Sequence, residues 1–265
     1  MFKGLTNIGI ILLLCLAISC EEELVDHEME EEEIEIPEAN VLLANGGCPD
    51  TLIPFYLEKD GQLMIEMESA DYDATSWTLD SVLSGASNDK YLVWKGSNHY
   101  SDPGKGLLNF RIRIENPGTY RFLWRSRITQ GNSNTDFNDS WLRIPNADHF
   151  YGKRDSDGHI VYPKGTNQDP IVDSEGQAHT MPEGAGKDGW FKIYMNRLGS
   201  WAWISRTSDN DPHQIFAIFD EAGDYTIQIA GRSTNHGIDK LTMFLTHIPQ
   251  NTATATNVLS DALCE

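Results

Sequence analysis

The sequence has few basic residues and no long apolar run after its N-terminus. Lys and Arg number 20 against 40 Asp and Glu, which gives a formal net charge of −20. A chain this acidic repels phosphate backbones, so we do not expect nucleic acid as a partner. A membrane-spanning helix needs about 20 apolar residues in succession, and no such run follows the first twenty residues. The folded part of the chain is therefore not expected to cross a membrane by a helix.

Signatures of several common enzyme classes are also missing. The sequence has no G-x-S-x-G, no H-E-x-x-H and no P-loop motif. Its loop histidines lack tight metal-ligand spacing, and we interpret them as surface residues: His149, His159, His179 and His213. No stretch shows sustained helical periodicity. The sequence thus points away from an α-helical fold and gives no sign of a familiar catalytic centre.

The first twenty residues have the layout of an export signal. Lys3 supplies positive charge, residues 8–18 form a short apolar core, and small Ser19 precedes Cys20. This order predicts a lipoprotein in which the chain is cleaved before Cys20 and Cys20 is acylated. Several acyl chains on one cysteine make a stable membrane anchor. The alternative is an ordinary signal peptide that happens to be followed by a cysteine.

A strongly acidic segment follows Cys20. Residues 21–38 contain eleven acidic residues and no Lys or Arg. Like charges with few aromatics keep a chain extended, so residues 21–54 are predicted to be a disordered tether with an irregular lead-in. Glu21, Glu22 and Glu23 resemble the acidic surface-export signals of Bacteroidetes lipoproteins. We therefore expect the protein on the outer membrane, lipid-anchored and facing outward.

Two cysteines remain beyond the signal and the lipidation site. Cys48 and Cys264 stand near the two ends of the predicted domain. Because an exported protein folds in an oxidising compartment, we expect them to form a disulfide. By chain-entropy arguments a bridge across so long a loop stabilises the fold by about 5 kcal/mol. Two free thiols are the alternative.

Short runs of alternating apolar and polar residues fill the middle of the chain. Residues 63–68, 107–114 and 119–128 show the period of two that is typical of half-buried strands. Asn-Pro-Gly at 116–118 is a turn signal between two of them. Repeated short strands with turns predict an all-β fold, a sandwich or barrel, over residues 55–248.

Two segments depart from this rhythm. Residues 145–189 are rich in Gly, Asp, Pro and His and poor in aliphatic residues, and they predict a long loop insertion at one end of the sandwich. Residues 249–265 are predicted to be a polar C-terminal tail that ends in the disulfide.

Short motifs occur in a fixed order along the predicted sandwich. An early strand carries Ile-Glu-Met-Glu at 65–68, middle strands carry Gly-x-Tyr at 118–120 and 223–225, and the last strand begins with Ile-Asp at 238–239. In this order the motifs resemble the β-sandwich carbohydrate-binding modules of families six and thirty-five, over about residues 61–247. The resemblance implies a jelly-roll, galactose-binding-like sandwich that binds a polysaccharide or oligosaccharide without catalysis.

Three carboxylates are candidates for a metal site. Glu66 and Glu68 are two residues apart, so on a strand they would share a face, where their charges repel unless a cation lies between them. Asp239 on the last strand adds a third hard oxygen donor, and such donors suit Ca²⁺. The resemblance implies a structural calcium at Glu66, Glu68 and Asp239. The alternative is that the two glutamates are the solvent face of an edge strand.

Sugar recognition requires flat rings against pyranose faces and planar polar groups against hydroxyls. The resemblance places the ligand site in loops at one end of the sandwich. It implies an aromatic after the first strand, a tryptophan in a later loop and an asparagine before the Ile-Asp motif. The matching residues are Tyr72 or Trp77, Trp201 or Trp203, and Asn235.

Two arginines share one face of a predicted strand. Arg125 and Arg127 are followed in the next loop by Asp136 and Asp139. The arginines are expected either to pair with these carboxylates or to bind a sugar carboxylate or sulfate, because a guanidinium fits both bidentately.

These observations predict a non-catalytic, lipid-anchored surface protein that captures glycan for neighbouring degrading enzymes and transporters. One alternative is a polysaccharide-degrading enzyme, because loop carboxylates such as Asp155 and Glu183 are available. Another is a structural or protein-binding lipoprotein on the same sandwich. A shared shelf of Trp77, one of Trp201 or Trp203, and Asn235 would favour sugar binding, whereas buried or scattered aromatics would favour protein binding.

Overall fold

The computed structural model describes residues 41–43, 48, 52–172, 176, 178 and 183–264. The predicted signal, Cys20 and the acidic segment 21–38 lie outside the described residues. In the part of the chain that is described, no helix is long and apolar enough to cross a membrane.

The described chain is built almost entirely of strands. In chain order they are β1 (Val41–Leu43), β2 (Pro54–Leu57), β3 (Gln62–Glu66), β4 (Trp77–Asp80), β5 (Tyr91–Trp94), β6 (Leu108–Ile114), β7 (Gly118–Ile128), β8 (Asp139–Arg143), β9 (His149–Lys153), β10 (Ile160–Pro163), β11 (Glu183–Gly184), β12 (Gly186–Lys187), β13 (Trp190–Tyr194), β14 (Ala202–Trp203), β15 (Gln214–Phe219), β16 (Gly223–Gly231), β17 (His236–Leu245) and β18 (Ala262–Cys264). One short helix, α1 (Gln250–Ala255), and 3₁₀ turns at Met67–Ser69 and Ser87–Asp89 complete the description.

The strands form two sheets. The eight-stranded sheet has the order β1-β18-β2-β6-β16-β8-β13-β12. The ten-stranded sheet has the order β11-β10-β9-β15-β7-β17-β5-β4, with β14 added on β7 and β3 on β17. Most pairs are antiparallel, and β2–β6 and β10–β11 are parallel. The predicted all-β sandwich is confirmed.

The core lies between the two sheets. Alternate residues of β6 and β7 are buried, as the period of two predicts. One continuous apolar cluster takes side chains from both sheets, including Phe110 and Ile227 of the eight-stranded sheet and Phe122, Trp124 and Leu241 of the other. Burial of this cluster is the main stabilising contribution to the fold.

The predicted C-terminal tail is part of the fold. Ala253 of α1 packs against Leu123 and Phe244 on the outer face of the ten-stranded sheet. β18 inserts between β1 and β2, and its Cys264 forms the predicted disulfide with Cys48 at a Cα–Cα distance of 5.6 Å. The interpretation of residues 249–265 as a polar tail was wrong, because their few apolar residues find partners on strands distant in sequence.

The predicted loop insertion also contains regular structure. β9 lies in the interior of the ten-stranded sheet, where it pairs with β10 on one side and β15 on the other. Phe150 of β9 belongs to the main core. Residues 145–189 therefore do not form a single loop, although 173–175, 177 and 179–182 fall outside the described residues.

Candidate functional site

A row of four side chains crosses the outer face of the ten-stranded sheet. Lys240 of β17 lies opposite Glu66 of β3 on one side and opposite Arg125 of β7 on the other. Trp203 of β14 lies opposite Arg125 in turn. Residues directly opposite one another share a face of the sheet. Because Trp124 beside Arg125 is buried in the core, the row faces away from the core.

The row lines a cleft of about 540 Å³. Glu66 and Lys240 are buried, whereas Arg125 and Trp203 are partly buried. The other lining residues come from the 85–88 segment and from α1 and the chain that follows it: Gly85, Ala86, Ser87, Asn88, Thr254, Asn257 and Leu259. The cleft thus combines one aromatic ring with charged groups and two amides.

A β-bulge places Asp239 beside this cleft. The register between β17 and β7 shifts between Ile238 and Lys240, so Asp239 is the extra residue. Its fully buried carboxylate accepts hydrogen bonds from the Ser87 backbone N–H at 2.7 Å and from Arg125 Nη1 at 2.5 Å. Arg125 Nη2 donates to the Gly85 carbonyl at 2.7 Å. Arg125 and Asp239 therefore hold the 85–87 segment against the sheet.

The two glutamates occupy different elements. Glu66 ends β3, whereas Glu68 lies in the 3₁₀ turn Met67–Ser69, so the expectation that both share a strand face was wrong. Beyond Glu66 the chain leaves β17, which pairs with β5 at Gly237 and Ile238. Glu66 Oε1 accepts a hydrogen bond of 2.5 Å from Ser87 Oγ.

Each glutamate also has a buried oxygen without a hydrogen-bond partner among the described residues, namely Oε2 of Glu66 and of Glu68. Burial raises the pKa of Glu66, and the nearby Asp239 carboxylate raises it further. Burial raises the pKa of Glu68 to about 7, with further contributions from the charges of Glu66 and Asp239. Three carboxylates thus repel one another in one partly buried place.

Glu66 and Glu68 each offer a hard cation one carboxylate oxygen, but the ligand atoms of Glu66, Glu68 and Asp239 do not all lie within 4.8 Å of one another in the described structure. Two orphaned carboxylate oxygens are what a Ca²⁺ ion with oxygen ligands would satisfy. Asp239 fits less directly, because its two oxygens already accept hydrogen bonds from Ser87 and Arg125. Of the three predicted calcium ligands, Glu66 and Glu68 therefore each keep one oxygen without a partner among the described residues, whereas both oxygens of Asp239 accept hydrogen bonds.

Trp201 lies next to the cleft on a platform of charged and aromatic residues. The guanidinium carbons of Arg125 and Arg127 lie 5.9 and 6.0 Å from its ring centroid. Tyr91 packs edge-on against the Trp201 ring, with ring centroids 4.8 Å apart. Trp201 Nε1 donates a hydrogen bond to the Ser84 carbonyl at 3.2 Å. Trp201 and Trp203 are both partly buried, and of the two only Trp203 lines the cleft.

Two of the predicted ligand residues are used inside the protein. Trp77 is fully buried, packs edge-on against Trp94 at 5.2 Å and donates from Nε1 to the Gly106 carbonyl at 2.7 Å. Asn235 is nearly buried, and its Oδ1 accepts from Lys95 Nζ at 2.8 Å. The shelf of Trp77, Asn235 and a later tryptophan that would favour sugar binding over protein binding is not formed, because Trp77 completes the core and has no surface for a ligand. A sugar site must therefore be built from other residues.

Asp139 and Tyr72 also lie outside the cleft. The buried Asp139 carboxylate accepts hydrogen bonds from Arg232 and Ser233, and not from Arg125 as expected. Tyr72 is half buried and packs against the main core. The expectation that Asp139 pairs with Arg125 was wrong, because the bulge presents Asp239 to that arginine instead.

Several residues of the cleft were missed in the sequence. Lys240, Ser87, Asn88 and Asn257 line it although no motif singled them out for ligand binding. Lys240 directly follows Asp239, and the bulge that brings both toward the same cleft leaves no mark in the hydrophobic pattern. Asn257 belongs to the segment that was interpreted as a tail.

Comparison with solved structures gives distant likenesses. The GH26-CBM35 β-(1,4)-mannanase of Podospora anserina matches at 15% identity and TM-score 0.39, over 72% of this chain and 29% of that one. A family 35 carbohydrate binding module from Clostridium thermocellum matches at 11% identity and TM-score 0.33, over 70% of this chain and 98% of that one. CBM35 from Paenibacillus barcinonensis matches at 10% identity and TM-score 0.30, over 69% and 98%. No protein-family model and no curated protein matches the sequence.

Proposed function

We propose that the protein binds carbohydrate, without catalysis, in the cleft on the outer face of its ten-stranded sheet. The observation that carries this proposal is the row Glu66, Lys240, Arg125 and Trp203, which lines a cleft of about 540 Å³. Protein sites for small ligands are concave and combine apolar rings with a few placed polar groups, and this cleft has that composition.

Each component of the cleft has a counterpart in a sugar. Trp203 packs against the cluster of Leu123, Phe244 and Ala253, and the part of its ring that lines the cleft offers a flat apolar surface for the C–H face of a pyranose. The Arg125 guanidinium and the amides of Asn88 and Asn257 are planar groups that exchange hydrogen bonds with hydroxyls. The buried Lys240 adds one donor group.

Binding is favoured over hydrolysis by the carboxylate inventory of the cleft. Glycosidases use two carboxyl groups on either side of the scissile bond. Among the described residues that line the cleft, Glu66 is the only carboxylate, and its Oε1 is engaged by Ser87.

A calcium ion at Glu66 and Glu68 is part of this proposal. Its charge would neutralise the repelling carboxylates and satisfy their orphaned oxygens. Because Ser87 contacts both Glu66 and Asp239, neutralising this cluster would also fix the 85–88 segment, which forms one side of the cleft.

The cellular setting is proposed from the sequence. Cys20 would carry the lipid anchor, and the acidic segment 21–38 would hold the domain away from the outer membrane. A binding protein in that position would capture polysaccharide for neighbouring degrading enzymes and transporters.

A glycan array with purified protein, in calcium and in chelator, tests this function. We expect saturable binding to one polysaccharide class that weakens at least about tenfold in Trp203→Ala, a loss of about 1.4 kcal/mol. Trp203→Phe keeps a flat ring and should retain most of the binding.

Tyr100→Ala is the matched control, because Tyr100 is an exposed aromatic that does not line the cleft. Thermal melts establish that each variant is folded. Absence of binding to every neutral and anionic glycan by the folded protein would contradict the proposal, as would equal binding by Trp203→Ala.

A further inference from the structure

A second set of metal-ligand side chains lies in the β9–β10–β15 part of the same sheet. One nitrogen each of His159 and His213 and a carboxylate oxygen of Asp211 lie within 4.8 Å of one another. His159 Nδ1 is 3.2 Å from His213 Nε2. The three residues line a small cavity of about 160 Å³ together with Val161, Gly184, Ala185, Thr207 and Ser208.

The register of the sheet explains why the two histidines meet. Lys153 of β9 lies opposite Ile160 of β10 on one side and opposite Gln214 of β15 on the other. His159 precedes Ile160 by one residue, and His213 precedes Gln214 by one residue. The two histidines therefore flank Arg154, the residue that follows Lys153. They are far apart in sequence, which is why their spacing gave no metal signal and both were interpreted as surface residues.

The orientation of His213 is suited to metal binding. Its side chain is buried at 1% exposure, and its Nδ1 lies 2.8 Å from the backbone carbonyl of Asp211. A carbonyl only accepts hydrogen bonds, so Nδ1 carries the proton and Nε2 keeps its lone pair toward His159. A ring nitrogen fixed by a backbone carbonyl, with the other nitrogen free, is the usual arrangement of a metal-bound histidine.

The charge around the cluster also favours a cation. Arg154 Nη1 pairs with Asp211 Oδ1 at 2.5 Å, and the same guanidinium pairs with Asp157 at 2.9 and 3.0 Å. Asp211 and Asp157 carry two negative charges and Arg154 carries one positive charge. These three side chains therefore have a net charge of −1 when both imidazoles are neutral. Arg154 contacts Asp211 through Oδ1, and one carboxylate oxygen of Asp211 lies within 4.8 Å of a nitrogen of each histidine.

From this geometry we infer a site for a first-row transition metal, Zn²⁺ above all, held by His159 Nδ1, His213 Nε2 and the Asp211 carboxylate. Two nitrogens bound tetrahedrally to zinc at about 2.05 Å lie about 3.3 Å apart, close to the observed 3.2 Å. Imidazole ligands select zinc over calcium, which prefers oxygen, so this site and the glutamate site take different ions.

Three protein ligands leave the fourth position of the ion open toward the cavity. The ion would join the β9–β10 hairpin to the segment that leads into β15. The competing explanation is a plain hydrogen bond between the two imidazoles, with no ion.

Calorimetric titration of chelator-stripped protein with zinc chloride, in excess calcium, tests the inference. We expect one saturable site that calcium does not compete for. His159→Ala should weaken it by more than about 100-fold, since losing even an outer-shell partner of a metal costs about 10–100-fold.

Asp211→Asn and His213→Ala should weaken the site too, but His213 is buried and its variant requires a thermal melt to show that it is folded. His159 is exposed and so gives the safer variant. His247→Ala, at an exposed histidine outside the cluster, is the matched control and should leave zinc affinity unchanged. Zinc binding of equal affinity in folded His159→Ala would overturn the inference, as would the absence of saturable binding in the unaltered protein.

Discussion

At the scale of single residues, the carboxylate that lines the cleft and the two beside it determine how this part of the protein responds to its surroundings. Glu66, Glu68 and Asp239 interact with one another, and a positively charged arginine engages only Asp239 directly. Arg125 and Ser87 stabilise the Asp239 charge by contact, and Ser87 Oγ also donates to Glu66 Oε1. Glu66 and Glu68 each keep one buried oxygen without a hydrogen-bond partner among the described residues, which protonation or a cation would satisfy.

Without calcium, the stability of the protein is expected to fall as the pH rises from about 4.5 to 7. The pKa of Glu68 is raised from its ordinary value to about 7 in the folded protein, chiefly by burial. The folded state therefore holds a proton that the unfolded state has lost in this range, so its contribution to stability is present below pH 4.5 and lost above 7. Titration of Glu68 lowers the free energy of unfolding by at most about 1.4 kcal/mol per pH unit, which is the value for one bound proton.

Urea denaturation at several pH values checks this dependence. Glu68→Gln and added calcium should each flatten the profile, whereas Glu115→Gln, at an exposed glutamate, should leave it unchanged. A Glu68→Gln profile parallel to that of the unaltered protein would contradict the assignment.

The sequence identified several residues of the cleft and misplaced others for one physical reason. Arg125, Trp203 and Glu66 were recognised because their chemistry and order are local properties. Trp77 was misplaced because burial depends on what packs against a side chain, here Trp94 and Gly106, and no local pattern records that contact.

At the scale of elements, three glycines form a cavity for the Trp94 ring. A Cβ added at Gly96, Gly106 or Gly231 would lie 2.2 to 2.3 Å from an atom of that ring. Trp94 closes the core at the end of β5, beside Trp77. The backbone therefore approaches the Trp94 ring closely in three separate segments, at Gly96, Gly106 and Gly231.

Gly231→Ala is expected to lower the free energy of unfolding by about 1–3 kcal/mol, the usual cost of overpacking a core. Gly223→Ala on the same strand is the matched control, because its added Cβ would meet Tyr225 only at 3.8 Å. Urea denaturation of both variants measures the difference, and equal stabilities would show that Trp94 can move aside.

The elements that sequence patterns missed are those whose partners are distant along the chain. β9 is a five-residue strand inside a polar segment, too short for a clear period of two, and its pairing with β15 is what fixes it. β18 has three residues and forms because β1 and β2 accept it. Long alternating strands such as β6 and β7 were recognised because their own pattern is sufficient.

At the scale of the whole molecule, the C-terminal segment links the two sheets and the candidate cleft. α1 packs on the ten-stranded sheet, Asn257 lines the cleft, and β18 completes the eight-stranded sheet. The disulfide from Cys48 to Cys264 then fixes the end of this segment.

Replacing both cysteines, Cys48→Ser with Cys264→Ser, is expected to lower the free energy of unfolding by about 2–5 kcal/mol, because the bridge closes a loop with a sequence separation of 216 residues. Chemical denaturation with and without a reductant measures this effect. The reductant should bring the unaltered protein to the stability of the double variant and leave that variant unchanged. If the reductant destabilised both proteins equally, the effect would not come from the disulfide.

The proposed glycan site lies on the outer face of the ten-stranded sheet, along the row from Glu66 to Trp203. Its most direct test is a crystal structure of the protein with the oligosaccharide that the array selects. We expect a sugar ring against Trp203, with hydroxyls or acidic groups within hydrogen-bond distance of Arg125. A ligand in the loops near Trp77 and Asn235, with the cleft filled only by solvent, would contradict it.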